Sequence, residues 1–307
     1  MGLMEEVLAE ERRILKELGY ELSESWADKN HPESYYKDYL YNLFENMIDK
    51  HKKQYGGGSG GELNATETKP AKMASIRSSS AMTFNLLGND TITLLAGNEI
   101  NHKPGTYRIE YEKQHETILN GNRQQPANLD AFLESEDGTE LIFCEMKMLE
   151  WFSKNTGQLK EAYKDENNYK YKELTIQFFK AIEIIEQMSS CGTFEYYDVW
   201  QMFKHTLAIH NYMQERGWDK CNKVTLLNVV FEPDNAFMSE KAKVAYEYQK
   251  SKEHEGFDNF RSALVEAGIL KDGKNFDVKY ISAKDFIRCL EISDKKLRYL
   301  RRYTLEG

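Results

Sequence analysis

The sequence predicts an α+β fold, α/β sandwich-like, with a mixed central β-sheet flanked by helices and helical additions at both ends. Three observations carry this. Strand-like runs cluster between residues 106 and 149, helical periodicity precedes and follows them, and KVTLLNVVFEP at 223–233 has the apolar, β-branched composition of a strand buried on both faces. The resulting order of helix, three strands, helices and strand implies a sheet with helices packed on it.

Residues 3–18 and 33–54 read as helices, the second because Tyr36, Tyr39, Leu40, Leu43, Phe44, Met47 and Ile48 recur at helical spacing. GGGSGG at 56–61 puts Gly56, Gly58 and Gly61 in G-x-G-x-x-G spacing. A dinucleotide fingerprint needs a strand before it and a helix after it. Here KHKKQY ends a helix and ELNATETKP follows, so the stretch reads as a flexible connection. SSSAMTFNLLG, from Ser78, reads as a helix with serine N-caps and a stop at Gly88.

TYRIEYEKQ (106–114) and NLDAFLES (128–135) alternate as strands, and DGTELIFCEMKML (137–149) is a turn followed by a third strand. Asp137-Gly138 is a hairpin signal, so the last two strands are expected to be antiparallel neighbours. Segments 158–188 and 194–215 read as helices, as do 239–268 and 283–302, which flank a strand at 276–282. The expected organisation is an N-terminal helical region with the glycine-rich connection (1–70), a core (71–235) with a helical insertion at 151–190, and a C-terminal extension (236–307) packed on the core.

The 307 residues are 40% hydrophobic and 30% charged, as in ordinary globular chains, and no apolar run approaches the ~18 residues of a membrane span. The acidic, helix-like opening MGLMEEVLAEERRILKEL does not read as a signal peptide, and Glu6 stands where a myristoylation signal wants Ser or Thr. Cys144, Cys191, Cys221 and Cys289 form no C-x-x-C pair, which argues against a zinc site or a disulfide framework and for a reducing, cytoplasmic setting. Forty-one basic against fifty acidic residues give a net charge of -9, contrary to the global footprint of a nucleic-acid binder. A local patch can still decide binding. No P-loop lysine motif and no G-x-S-x-G elbow occurs.

The informative constellation is Asp130 on the second strand followed by Glu145-Met146-Lys147 on the third. Residues two apart on a strand share a face, so Glu145 and Lys147 project together about 7 Å apart, with Phe143 behind them. Ile142, Cys144 and Met146 face the other way, and the hairpin returns Asp130 to the same region. Two carboxylates can bind Mg²⁺ or Mn²⁺ incompletely, leaving positions for water and a phosphate oxygen. The neighbouring lysine can orient or help deprotonate that water and stabilise developing charge. Four other [DE]-x-K triplets occur, at Glu67-Thr68-Lys69, Asp272-Gly273-Lys274, Asp277-Val278-Lys279 and Asp294-Lys295-Lys296. None follows a hairpin strand that presents an aspartate.

An acid on one strand and E-x-K on the next, after a helix and before a helix and a buried strand, resembles the PD-(D/E)xK nuclease superfamily, with its restriction-endonuclease-like fold. The resemblance spans about 75–232, and Leu129 stands where the motif has proline. It implies that Asp130 and Glu145 bind the metal with the backbone carbonyl of Met146, and that Lys147 serves the hydrolytic water. Gln201 and His205, at i and i+4, resemble the Q-x-x-x-Y motif of the RecB-like and phage-exonuclease-like branches, with histidine for tyrosine; the rival reading is the polar edge of an amphipathic helix. Glu112 is a candidate supporting carboxylate, with Glu110 as its rival. The other histidines, His31 among them, have no metal-ligand spacing.

The implied activity is divalent-metal-dependent hydrolysis of DNA phosphodiesters, and the resemblance allows a homodimer. A catalytically inactive nuclease-fold binding or scaffold protein and an RNA-directed nuclease are the alternatives. Candidate phosphate contacts are Arg77, Ser78, Ser79 and Ser80 at a helix start, Lys154, Lys160 and His205, and, less favoured, the basic run KKLRYLRRY near residue 300.

Overall fold

The computed structural model describes residues 2–20, 22, 34–57, 61–67, 69–120, 123–271 and 275–306. His31, residues 58–60 of the glycine-rich connection, Thr68 and the Asp272-Gly273-Lys274 triplet lie outside them. Helices α1 (Leu3–Glu17), α2 (Asp49–Gly57) and α3 (Ser79–Leu87) precede the strands β1 (Thr91–Leu94), β2 (Gly105–Asn120), β3 (Arg123–Ser135) and β4 (Glu140–Lys147). Then come α4 (Lys172–Ser190), α5 (Val199–Arg216), β5 (Lys223–Val230), α6 (Glu240–Glu266), β6 (Phe276–Ser282), α7 (Ala283–Arg288) and α8 (Asp294–Leu300). The strands form one mixed sheet in the order β1-β2-β3-β4-β5-β6, antiparallel as far as β4 and parallel from β4 to β6. No helix among the described residues is long and apolar enough to cross a membrane.

Local signals explain the elements that position the functional face. Ser78 Oγ accepts the Ala81 N–H at 3.1 Å to start α3, and Gly88 ends it at φ 91°. Asp198 caps α5 by accepting the Gln201 N–H at 3.1 Å. Asp137 Oδ1 accepts the Thr139 N–H at 3.0 Å and Gly138 takes φ 71°, which closes the β3–β4 hairpin where the sequence placed it.

Both faces of the sheet are covered. Ile142, Cys144 and Met146 of β4 pack into one core with α1 and α3, while Leu141 and Phe143 pack into the other with α4, α5 and α6. Glu145 therefore sits on a face roofed by helices. α3 is buried on all sides, so its polar side chains find internal partners: the Asn85 amide donates to Asn42 O at 2.9 Å and accepts the Phe44 N–H at 2.7 Å.

Several expected elements change. The helix at 33–54 reduces to a 3₁₀ turn at Tyr39–Asn42 and to α2, because tertiary bonds capture the backbone between them. Asn89 Oδ1 accepts the Ile48 N–H, and the Asn42 amide donates to Met73 O and Ser75 O. The helix at 158–188 begins only at Lys172; Asp165 caps a 3₁₀ turn, Asn168 donates to Ala162 O, and Tyr169 bridges to Ile118. The helix at 283–302 divides into α7 and α8 because residues 289–291 extend along β1, with Leu95 N bonded to Cys289 O and Glu291 N to Thr93 O. β2 and β3 extend beyond the runs read as 106–114 and 128–135, and β1 is an additional strand.

Arg302, fully buried, ties the two ends of the fold together. Its guanidinium donates to Glu11 Oε1 at 2.8 and 3.0 Å, to Asn42 Oδ1 at 2.8 Å and to the Tyr299 hydroxyl at 2.9 Å. Arg302→Ala leaves the Glu11 carboxyl buried without its partner, and is expected to cost about 3–5 kcal/mol in urea unfolding. A Glu11→Leu/Arg302→Met double variant is expected to lose far less, because no charge remains buried.

Candidate active site

The site forms where β3 and β4 part. Their register pairs run from Glu134↔Leu141 to Ala131↔Cys144. One residue further, the Asp130 side chain takes over from the backbone, and Oδ2 accepts the Met146 N–H at 2.6 Å. On the other side of Asp130, the β2–β3 register through Tyr111↔Ala131 and Lys113↔Leu129 places Glu112 opposite it. Glu112 has φ 49°, a left-handed conformation that costs a non-glycine residue energy and that clusters at functional sites.

Glu145 is 3% exposed. Its Oε1 receives the Lys147 ammonium at 2.8 Å and the Gln201 amide at 2.7 Å, and Lys147 also donates to Gln201 Oε1. His205 Nε2 lies 2.9 Å from Oε2, off the line of a hydrogen bond, so neither atom has a hydrogen-bond partner among the described residues. The Met146 side chain belongs to the opposite core, so only its backbone reaches the site.

The carboxyls divide by their surroundings. Burial raises the Asp130 pKa well above the usual carboxylate range, the neighbouring Glu145 and Glu112 add to this, and the Met146 N–H and Lys147 oppose it. Burial, Glu62 and Glu145 push Glu112 from 4.5 up to about 7, with Lys72 opposing. For Glu145 burial acts upward too, but its neighbours Lys147 and His205 outweigh it and hold the group below its ordinary value. Burial disfavours the Lys147 ammonium, yet Glu145 and Glu150 more than compensate and keep it protonated.

Could these residues hold a divalent cation? Among the described residues no group of three His, Cys, Asp or Glu side chains is arranged as a metal cluster. Mg²⁺ commonly takes only one or two carboxylates and keeps water or phosphate oxygens elsewhere. Asp130 and Glu145 meet that lesser demand, since they repel one another and Glu145 Oε2 is buried without a hydrogen bond. The donor set fits Mg²⁺ or Mn²⁺ bound mainly by water.

Residues 9–303 match the family model described as restriction endonuclease associating with ARP. The chain belongs to this family. No curated protein and no solved structure matches it. The six-stranded mixed sheet with flanking helices is consistent with the restriction-endonuclease-like core the family description implies, and with it a nuclease-like function.

In this restriction-endonuclease family member, Asp130, Glu145, Lys147, Gln201 and Glu112 converge, and His205 joins them from within the core rather than from the surface. Arg77, Ser78 and Ser79 line a cavity of about 480 Å³ with Lys72, Glu62 and Glu150. It adjoins the site, because Glu62 acts on Glu112 and Glu150 on Lys147. Ser78 Oγ is occupied by the α3 cap. Lys154 is paired with Glu195, and Lys160 is exposed. Glu110 pairs with Lys113 at 2.9 Å. Glu62 and Glu150 escaped sequence reading because neither lies in a motif; Glu150, three residues after Lys147, had proximity as its one signal.

A folded-state pKa raised above the unfolded value makes stability fall as pH rises between the two values. In metal-free protein, ionisation of Glu112 is therefore expected to lower stability by up to about 3 kcal/mol from pH 4.5 through 7. Thermal melts against pH check this: Glu112→Gln should gain on the wild type across that window.

Proposed function

We propose that this protein is a divalent-metal-dependent nuclease of the PD-(D/E)xK type that hydrolyses DNA phosphodiesters. The observation that carries this reading is the convergence of Asp130, Glu145 and Lys147 at the divergence of β3 and β4, with Gln201 bonded to both Glu145 and Lys147. Asp130, Glu145 and the Met146 carbonyl would hold the cation. When bound, it supplies polarisation of the phosphate and a more acidic water.

The protein's own groups do the rest. Lys147, whose ammonium Glu145 and Glu150 favour, orients the water and stabilises negative charge growing on the phosphate. Gln201 fixes the ammonium against Glu145. Arg77 and the first N–H groups of α3 suit a neighbouring backbone phosphate, because the helix dipole favours an anion there. The family description names an association with ARP, and we extend that association to this chain as a second proposal.

Incubation of plasmid, linear DNA and matched RNA with Mg²⁺ or Mn²⁺ tests the reading. DNA cleavage abolished by EDTA, and lowered at least about 100-fold by Asp130→Asn, Glu145→Gln or Lys147→Ala, is expected. Activity that survives these substitutions sinks the proposed centre. Preference for the RNA strand would reassign the substrate. Arg77→Ala is expected to weaken DNA binding and to reduce the slope of log affinity against log salt by about 0.9, measured by anisotropy titration at several salt concentrations.

A further inference from the structure

The histidine one turn beyond Gln201 has no surface role open to it. His205 is 2% exposed, on a stretch of α5 whose Met202, Phe203, Leu207 and Ile209 are buried apolar residues. A polar ring in such a place is costly unless its nitrogens are used. Two buried atoms without hydrogen-bond partners face one another here, His205 Nε2 and Glu145 Oε2, 2.9 Å apart. A small turn of the ring satisfies both. Gln201, four residues earlier on the same helix face, already holds the other carboxylate oxygen at 2.7 Å.

We propose that His205 is a positioning residue for Glu145, an Nε2–H donor to one lone pair of Oε2 that, with Gln201 on Oε1, sets the orientation of the carboxylate and leaves the other Oε2 lone pair for the metal. This rests on the nuclease reading and reassigns His205 from the nucleic-acid contact that its place in the sequence suggests. Facing the ring are Glu145 from β4, which Gln201 of the same helix also holds, and His115 from β2, whose protonation the nearby ring disfavours. Nδ1 has no partner among the described residues, so the Glu145 side of the ring is the one the fold employs.

The test separates this role from a DNA contact and from the nuclease reading itself. In metal-free wild-type protein, nitrogen NMR of the imidazole should show Nε2 carrying its proton. A bare Nε2 overturns the proposal. The carboxyl carbon resonance of Glu145, assigned through Glu145→Gln, should move in His205→Phe and return toward the wild-type position in His205→Gln, whose amide nitrogen can replace Nε2. No movement in His205→Phe also overturns it.

With DNA and Mg²⁺, His205→Phe should lower kcat about 10- to 100-fold at unchanged KM, the usual range for a group that orients a metal ligand, and His205→Gln should recover much of the loss. A rise in KM with kcat retained would identify a nucleic-acid contact and reject the positioning role. Should the wild type cleave nothing, the nuclease reading fails while the two metal-free spectra still decide the role of His205.

Discussion

A carboxylate buried under a helix on a sheet face is the constraint around which the site is arranged. Glu145 occupies a β4 position where Leu141 and Phe143 of the same face are apolar core. Leaving such a charge unpaired costs several kcal/mol, so the neighbourhood must supply donors. Lys147 comes from the same strand face two residues on, and Gln201 from α5, whose N-terminus Asp198 sets. The same contacts leave one side of the carboxylate for a cation and keep the lysine charged. Stability and proposed chemistry thus draw on one set of bonds.

The second structural decision is where the sheet opens. If β3 and β4 paired to their ends, the Met146 N–H would be spent on the backbone ladder and Asp130 would have no reason to turn inward. Because the strands part after Ala131 and Cys144, the Asp130 carboxylate bonds that N–H and comes close enough to Glu145 for the Glu145 charge to raise its pKa. Across from it, Glu112 adopts a left-handed backbone conformation that no regular strand needs. Strain and carboxylate repulsion coincide at this one place, as expected where a fold retains a site at some cost to its own stability.

Charge resolves on the same local scale. The net charge of -9 speaks against adhesion to DNA driven by bulk electrostatics. Part of that excess is concentrated in Glu62, Glu112, Asp130 and Glu145, where a divalent cation would offset it. Beside them, Arg77, Lys72 and the start of α3 line a cavity in which the proposed substrate would meet cations and backbone N–H groups.

By itself the sequence determined what short-range rules govern. The α3 boundaries follow from Ser78 and Gly88, the hairpin from Asp137-Gly138, the buried β5 from its unbroken apolar run, and the shared face of Glu145 and Lys147 from strand alternation. Tertiary structure decided the rest, because it depended on partners distant in the chain. The apolar stripe at 36–48 looked helical until Asn85 and Asn89, about forty residues away, took its N–H groups. Residues 158–171 lost their helix to tertiary partners such as Ile118. In the sequence His205 read as a Q-x-x-x-Y-like companion of Gln201 and a candidate phosphate contact, and only the packing of α5 on β4 placed it against Glu145. Periodicity reports which face of an element is apolar; it cannot report which polar atom from elsewhere completes that element's hydrogen bonds, and at this site those completions set the ionisation and orientation of each functional group.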